Sequence, residues 1–257
     1  MIALPDILSL LSGGLVGLSL ALIGGGGSIL ATPALLYVVG VADAHAAIGT
    51  SAIAVSANAF ANLVNHARRG NVHWPAASIF AVSGVAGAAL GAGVGKATDA
   101  HILLPLFAVL MIVVGVLMLR PRVSTAHADV EINRRTVTRL VGIGAAVGFV
   151  SGFFGIGGGF LIVPGLIAAA GLGMMQAIGS SLLSVGAQGA TTAISYAADG
   201  LVDWRIAGLF IAGGLVGGVF GAMLGARLAR ERGALQKVFA AVVFATAAYM
   251  LWRSFTD

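Results

Sequence analysis

The chain has 257 residues, 59% of them hydrophobic and 9% charged, with no cysteine and a formal charge of +5. Soluble domains carry about a quarter charged residues, so an ordinary soluble fold is excluded, and the missing cysteine excludes disulfides and thiolate metal sites. The cations lie in connecting segments and at the ends of apolar runs, which fits membrane orientation and argues against a nucleic-acid partner.

In chain order, the apolar pattern predicts elements at 4–23, 28–40, 45–67, 75–96 and 101–119. The opening MIALPDILSL lacks a basic n-region and a cleavage site and reads as a retained first helix. The second element would be roughly 20 Å of helix, too short to span a bilayer alone. It follows an unusual break, because 22–35 read LIGGGGSILATPAL. Glycine and proline are poor residues for a helix interior. The third element carries Ser51, Asn58, Asn62 and Asn65 on one helical face, with His45 and His66 near its ends. Trp74 opens the fourth element as an interface anchor, and Gly84, Gly87, Gly91 and Gly95 give that element a small-residue face.

After a polar linker the pattern starts again. Residues 13–36 align with 144–167, pairing Gly13, Gly17, Gly24, Gly26, Gly27 and Pro33 with Gly144, Gly148, Gly155, Gly157, Gly158 and Pro164. One residue of slip then pairs Ile48–Ser51 with Ile178–Ser181 and Val72–Trp74 with Val202–Trp204. The second polar face reads Ser181, Ser184, Gln188, Thr191 and Ser195. The stretch Arg120–Arg139 holds five arginines and Arg227–Lys237 four cations, so both face the cytoplasm. The loop after the third element carries Arg68 and Arg69, while its counterpart carries Asp199 and Asp203. Opposite charge in matching loops implies opposite sides and an odd number of crossings per copy. The expected fold is therefore an all-α polytopic membrane protein. It is an inverted repeat of five plus five transmembrane elements with discontinuous Gly-rich helices. Residues 1–120 form the first repeat, 121–136 a cytoplasmic linker and 137–257 the second repeat.

Irregular backbone survives in lipid only where protein buries it or where it lines a wet cavity. Discontinuous helices paired across an inverted repeat point to a transporter's midplane site, and a helix N-terminus favours an anion. The expected substrate-binding residues are Gly26, Gly27, Ser28, Thr50, Ser51, Asn58, Asn62, Gly157, Gly158, Gly159, Ser180, Ser181, Ser184 and Gln188. The glycines at four-residue spacing are read as helix-packing positions instead, and those of the fourth elements suggest a homodimer. No lysine, arginine or carboxylate lies well inside an apolar element, so neutral donors suit a small anion better than a metal. No catalytic residue, metal or cofactor is expected. The pattern lacks His-Glu-x-x-His, Gly-x-Ser-x-Gly and a phosphate-binding loop. Secondary anion transport is the expected function, with a proton or sodium ion as a conceivable coupling ion; an anion channel of the same architecture is the alternative.

The motifs GGGGSILATP and GFFGIGGGFLIVP, followed by IGTS and IGSS, resemble those of the TauE/SafE sulfite-exporter-like family, also called the toluene-sulfonate uptake permease family. The resemblance covers nearly the whole chain. It implies a multi-pass carrier of the bacterial inner membrane for sulfur-containing anions such as sulfite, sulfoacetate or other organosulfonates. It also implies that the glycine segments and the polar third elements form the site. The two copies differ at Ser28 against Gly159 and at Gly25 against Ile156, so the half-sites need not contribute equally.

Overall fold

The computed structural model describes residues 4–23, 28–119, 132–155, 159–227, 241 and 243–252. Among these residues there is no strand. The first five helices are α1 (Leu4–Ile23), α2 (Ser28–Val39), α3 (Ala44–Arg68), α4 (Trp74–Ala97) and α5 (Ala100–Leu119). The second five are α6 (Arg134–Phe154), α7 (Gly159–Ala170), α8 (Met174–Ala198), α9 (Trp204–Arg227) and α10 (Val243–Trp252). Helix α6 begins three residues before the boundary read from the apolar pattern. Asn133 caps it by accepting a 2.9 Å hydrogen bond from the Thr136 N–H, and its arginine-rich first turn is helical although it is not apolar.

Among the described residues α1, α3, α4, α6 and α9 are long and apolar enough to cross a membrane. Helix α7 meets α8 at a sharp bend of 120° and forms with it a sixth, bent candidate. The break before α7 has a clear local cause. Gly155 ends α6 with φ +65°, a left-handed conformation that a side chain would strain, and its N–H bonds the Gly152 carbonyl at 3.2 Å.

Two glycine seams hold the bundle. Gly144, Gly148 and Gly152 of α6 rest on the backbone of Phe80, Gly84 and Ala88, while Gly87, Gly91 and Gly95 of α4 rest on Ala145, Phe149 and Phe153. Gly13 and Gly17 of α1 meet Phe210 and Gly214 of α9 in the same way, and Gly213, Gly217 and Gly221 return the contact on Leu10, Gly14 and Leu18. Backbone-to-backbone approach of this kind substitutes dispersion and weak Cα–H···O bonds for the hydrophobic effect that lipid removes. It also fills the small-residue faces of α4 and α9 from within the chain.

Contact order gives the helix directions. Contacts advance together along α1 and α9 and along α4 and α6, so each pair is parallel. The α3–α9 contacts run from Thr50–Asp203 through Asn58–Gly214 to Arg69–Ala222, and the α4–α8 contacts from His73–Ser180 through Gly84–Gln188 to Lys96–Asp199. These pairs are parallel too. Helices α3 and α8 cross antiparallel, since Ala52 meets Gly189 while Phe60 meets Gly186. At the crossing the Ser56 hydroxyl donates to the Gly186 carbonyl at 2.8 Å.

Candidate functional site

The polar faces of α3 and α8 turn inward. Ser51, Asn58, Asn62, Ser181, Ser184 and Gln188 are all buried, whereas Asn65, Thr191 and Ser195 are half-buried. The Asn58 amide presses against Gly214 and the Gln188 amide against Gly84. Residues 58 and 188 match under the repeat offset, and so do 84 and 214. Each half thus places one amide of its third helix against a glycine of the other half's fourth helix. A β-carbon at either glycine would collide with that amide.

Both amides are wholly buried, at 0% exposure, and neither Asn58 Nδ2 and Oδ1 nor Gln188 Nε2 and Oε1 has a hydrogen-bond partner. The hydroxyls of Ser184 and of Ser151 on α6 are equally unpartnered. An unsatisfied buried polar group costs about 1–3 kcal/mol. Six such atoms in the middle of an apolar bundle are a standing cost that packing alone would not retain; a ligand or bound water would satisfy them. Asn62 is different, because its Nδ2 donates to the Asn58 carbonyl at 2.9 Å beside Gly218.

The IGTS and IGSS motifs act at the two ends of the crossing. The Thr50 hydroxyl accepts the Asp203 N–H and the Ser180 hydroxyl accepts the His73 N–H, each at 2.9 Å. Gly49 and Gly179 let the Leu201 and Asn71 carbonyls approach closely. His73 and Asp203 in turn cap α4 and α9 by accepting the N–H of Ala76 and Ile206. Of the expected site residues, then, Thr50 and Ser180 have hydroxyls engaged by loop N–H groups. Thr50→Val is expected to cost about 1 kcal/mol of stability with transport retained, measured by thermal unfolding beside an uptake assay. Ser51 donates to the Ile48 carbonyl and lies 2.9 Å from the Thr32 hydroxyl, while Ser181 donates to Ile178 at 2.7 Å. Ser28 is buried at the start of α2, and Gly159 opens α7. Gly26, Gly27, Gly157 and Gly158 lie outside the described residues.

Sequence reasoning overlooked Ser151, the Gly84 and Gly214 notches and an ion pair between Lys96 at the end of α4 and Asp199 after α8. The notches were traceable, since both glycines and both amides sit at matching offsets. Trp74 and Trp204 are exposed at the first residues of α4 and α9, and His45 stacks on Tyr196 with its Nε2 3.2 Å from the Thr98 carbonyl. Among the described residues, no three His, Asp or Glu side chains cluster to hold a metal.

Comparison with known proteins adds to this geometry. A family model described as sulfite exporter TauE/SafE matches residues 9–250. A probable membrane transporter protein of Xylella fastidiosa (strain 9a5c) is 53% identical over 255 residues, covering 98% of this chain and 97% of the relative. The probable membrane transporter protein YdhB of Bacillus subtilis is 28% identical over 79% of this chain and 83% of its own length. A probable membrane transporter protein of Methanocaldococcus jannaschii is 32% identical over 63% of this chain and 61% of its own. No solved structure matches. With a family match that spans all but the ends of a multi-helix apolar chain, the protein belongs to the sulfite exporter TauE/SafE family.

Proposed function

We propose that the protein is a secondary transporter of small sulfur-containing anions in the bacterial inner membrane, with its substrate held among neutral donors between the two halves. One observation carries the proposal: the wholly buried, unpartnered amides of Asn58 and Gln188 at equivalent points of α3 and α8. Ser184 offers a hydroxyl on the same face as Gln188, one helical turn away. Ser28 and Gly159, the first residues of α2 and α7, complete the site in this proposal.

The helix directions support an inverted repeat. Helices α1 and α3 are both parallel to α9 and so run the same way, which requires the chain to return across the membrane between them through α2. Helices α6 and α8 are likewise both parallel to α4, so α7 makes the same return in the second half. With α5 and α10 taken as further crossings, each half makes five, and the antiparallel pair α3–α8 supports an inversion between the halves. The 120–136 linker and the Arg68–Arg69 loop are then cytoplasmic, with the 199–203 loop and both termini periplasmic. Labelling single cysteines tests this without background, since the chain has none. Ser124→Cys is expected to react only with reagent from the inside, and Asp199→Cys with impermeant reagent from the outside. Both reacting from one side would refute the inversion.

Carrier action is tested in proteoliposomes. Uptake of labelled sulfite or an alkanesulfonate is expected to saturate and to show exchange with internal substrate. Non-saturating flux without exchange would favour a pore. A homodimer would need a surface other than the glycine faces of α4 and α9, which the chain's own helices cover.

A further inference from the structure

Among the described residues two more buried polar atoms have no partner, and both lie beyond the amides on the same helical faces. His66 of α3 is 7% exposed with an unpartnered Nδ1, and Tyr196 of α8 is wholly buried with an unpartnered hydroxyl. Residues 66 and 196 match under the repeat offset, eight positions past Asn58 and Gln188. Eight residues make about 12 Å of helix. Between them, Asn62 and Thr192 donate to the Asn58 and Gln188 carbonyls of their own helices. Because α3 and α8 run antiparallel, the two rings stand at opposite ends of the crossing. Each polar face thus leads from a central amide to a buried ring.

The rings differ in chemistry. A phenol hydroxyl is a donor throughout the neutral range. In His66 one ring nitrogen bonds the Ala21 carbonyl of α1 and the other, Nδ1, has no partner, so Nε2 carries the hydrogen. Nδ1 of that neutral ring has only a lone pair, which repels an anion. A proton there creates an imidazolium, with a second donor and a full positive charge. We propose that His66 forms a second anion station at the cytoplasmic end of α3, and that the station exists only while its ring is protonated. This rests on the transport proposal and the topology above. At that end Arg69 donates to the Ala222 carbonyl of α9, Arg68 is exposed, and Arg227 closes α9. The other titratable groups on the helices packed against α3 lie at its opposite end. There Asp6 of α1 pairs with Arg205 of α9, Tyr37 of α2 and His101 of α5 line a cavity with Asp43 and Ala44, and Tyr196 stacks on His45. Asp99, Asp199 and Asp203 lie at that opposite end too. No described carboxylate therefore competes for the imidazolium, and a small oxyanion is the counter-ion it lacks.

Initial uptake of labelled methanesulfonate, which is singly charged at every pH used, tests the station from each side. Right-side-out vesicles present the periplasmic face and everted vesicles the cytoplasmic face. At constant voltage, between about pH 5.5 and 8, the wild-type cytoplasmic KM is expected to rise with pH, approaching about tenfold per unit as the imidazolium is lost. The periplasmic KM is expected to stay level, since a phenol does not ionise in that range. His66→Gln is expected to hold the cytoplasmic KM at the alkaline wild-type value at every pH. His66→Tyr, which copies the residue at the matching position, is expected to remove the pH dependence as well. His101→Gln, which alters an exposed ring on α5, should keep the wild-type profile. A level cytoplasmic KM in the wild type, or an unaltered profile in His66→Gln, would overturn the proposal. Loss of fold in both His66 variants would assign the ring to the structure and overturn it too. No methanesulfonate uptake through either face overturns the transport proposal itself, and the station falls with it.

Discussion

Gly148→Ala is expected to destabilise the protein by about 3 kcal/mol or more, while Gly142→Ala on the same helix is expected to be neutral or slightly stabilising. Both substitutions exchange glycine for the best helix former, which by itself is favourable by roughly 1 kcal/mol. What differs is the neighbour. A β-carbon on Gly148 would collide with the carbonyl, carbon and Cα of Gly84, whereas one on Gly142 has nothing within 4 Å. A flexible side chain could turn aside, but the colliding atoms at Gly84 are backbone within a continuous helix. Relief would require α4 and α6 to separate, which breaks the seam at Gly144 and Gly152 as well. The steric cost therefore exceeds the propensity gain. Gly17→Ala should behave like Gly148→Ala, because it meets the backbone of Gly214 in the matching seam. Thermal unfolding in detergent, read by size-exclusion fluorescence, makes the comparison. A Gly148→Ala variant with wild-type Tm would show that the helices pack less closely than described.

Gln188→Met and Asn58→Leu are expected to raise stability while lowering anion transport. Each change keeps roughly the side-chain volume and removes one donor and one acceptor that have no partner in the resting chain. Removing such an orphaned pair is expected to gain about 1–3 kcal/mol, because its desolvation is no longer uncompensated. The same atoms supply hydrogen bonds to a charged ligand, each contributing about 1.5–3 kcal/mol, so uptake should fall by about tenfold to 100-fold per substitution. The two signs together separate the alternatives. A packing role predicts lower stability with transport kept in whatever remains folded, whereas a binding role predicts the opposite pairing. Gly93→Ala serves as the control, since a β-carbon there meets open space. Measured Tm and initial uptake rates on the same preparations decide it. If Gln188→Met lowers Tm and leaves uptake unchanged, the amide belongs to the structure and not to the site.

The chain by itself determined the helices. Element bounds read from apolar runs differ from the observed ones by about a residue in the first half, because a membrane requires every backbone group to be paired within its own helix and polar residues to mark the ends. The sequence match between the two halves was legible because paired positions kept glycine, proline and polar residues, as in Val72–Trp74 and Val202–Trp204, whose middle residues both cap helices. Tertiary structure alone decided what those residues touch. Four-residue glycine spacing announces a face that permits close approach, yet it does not say which helix arrives. Here the faces of α4 and α9 receive α6 and α1 of the opposite half. The inward polar faces were visible as periodicity, but periodicity treats Thr50, Asn58 and Asn62 alike. Only packing distinguishes a hydroxyl bound to a loop N–H, an amide bonded along its own helix, and an amide left without a partner against a glycine. That distinction depends on contacts between residues more than 100 positions apart, where no local pattern reaches.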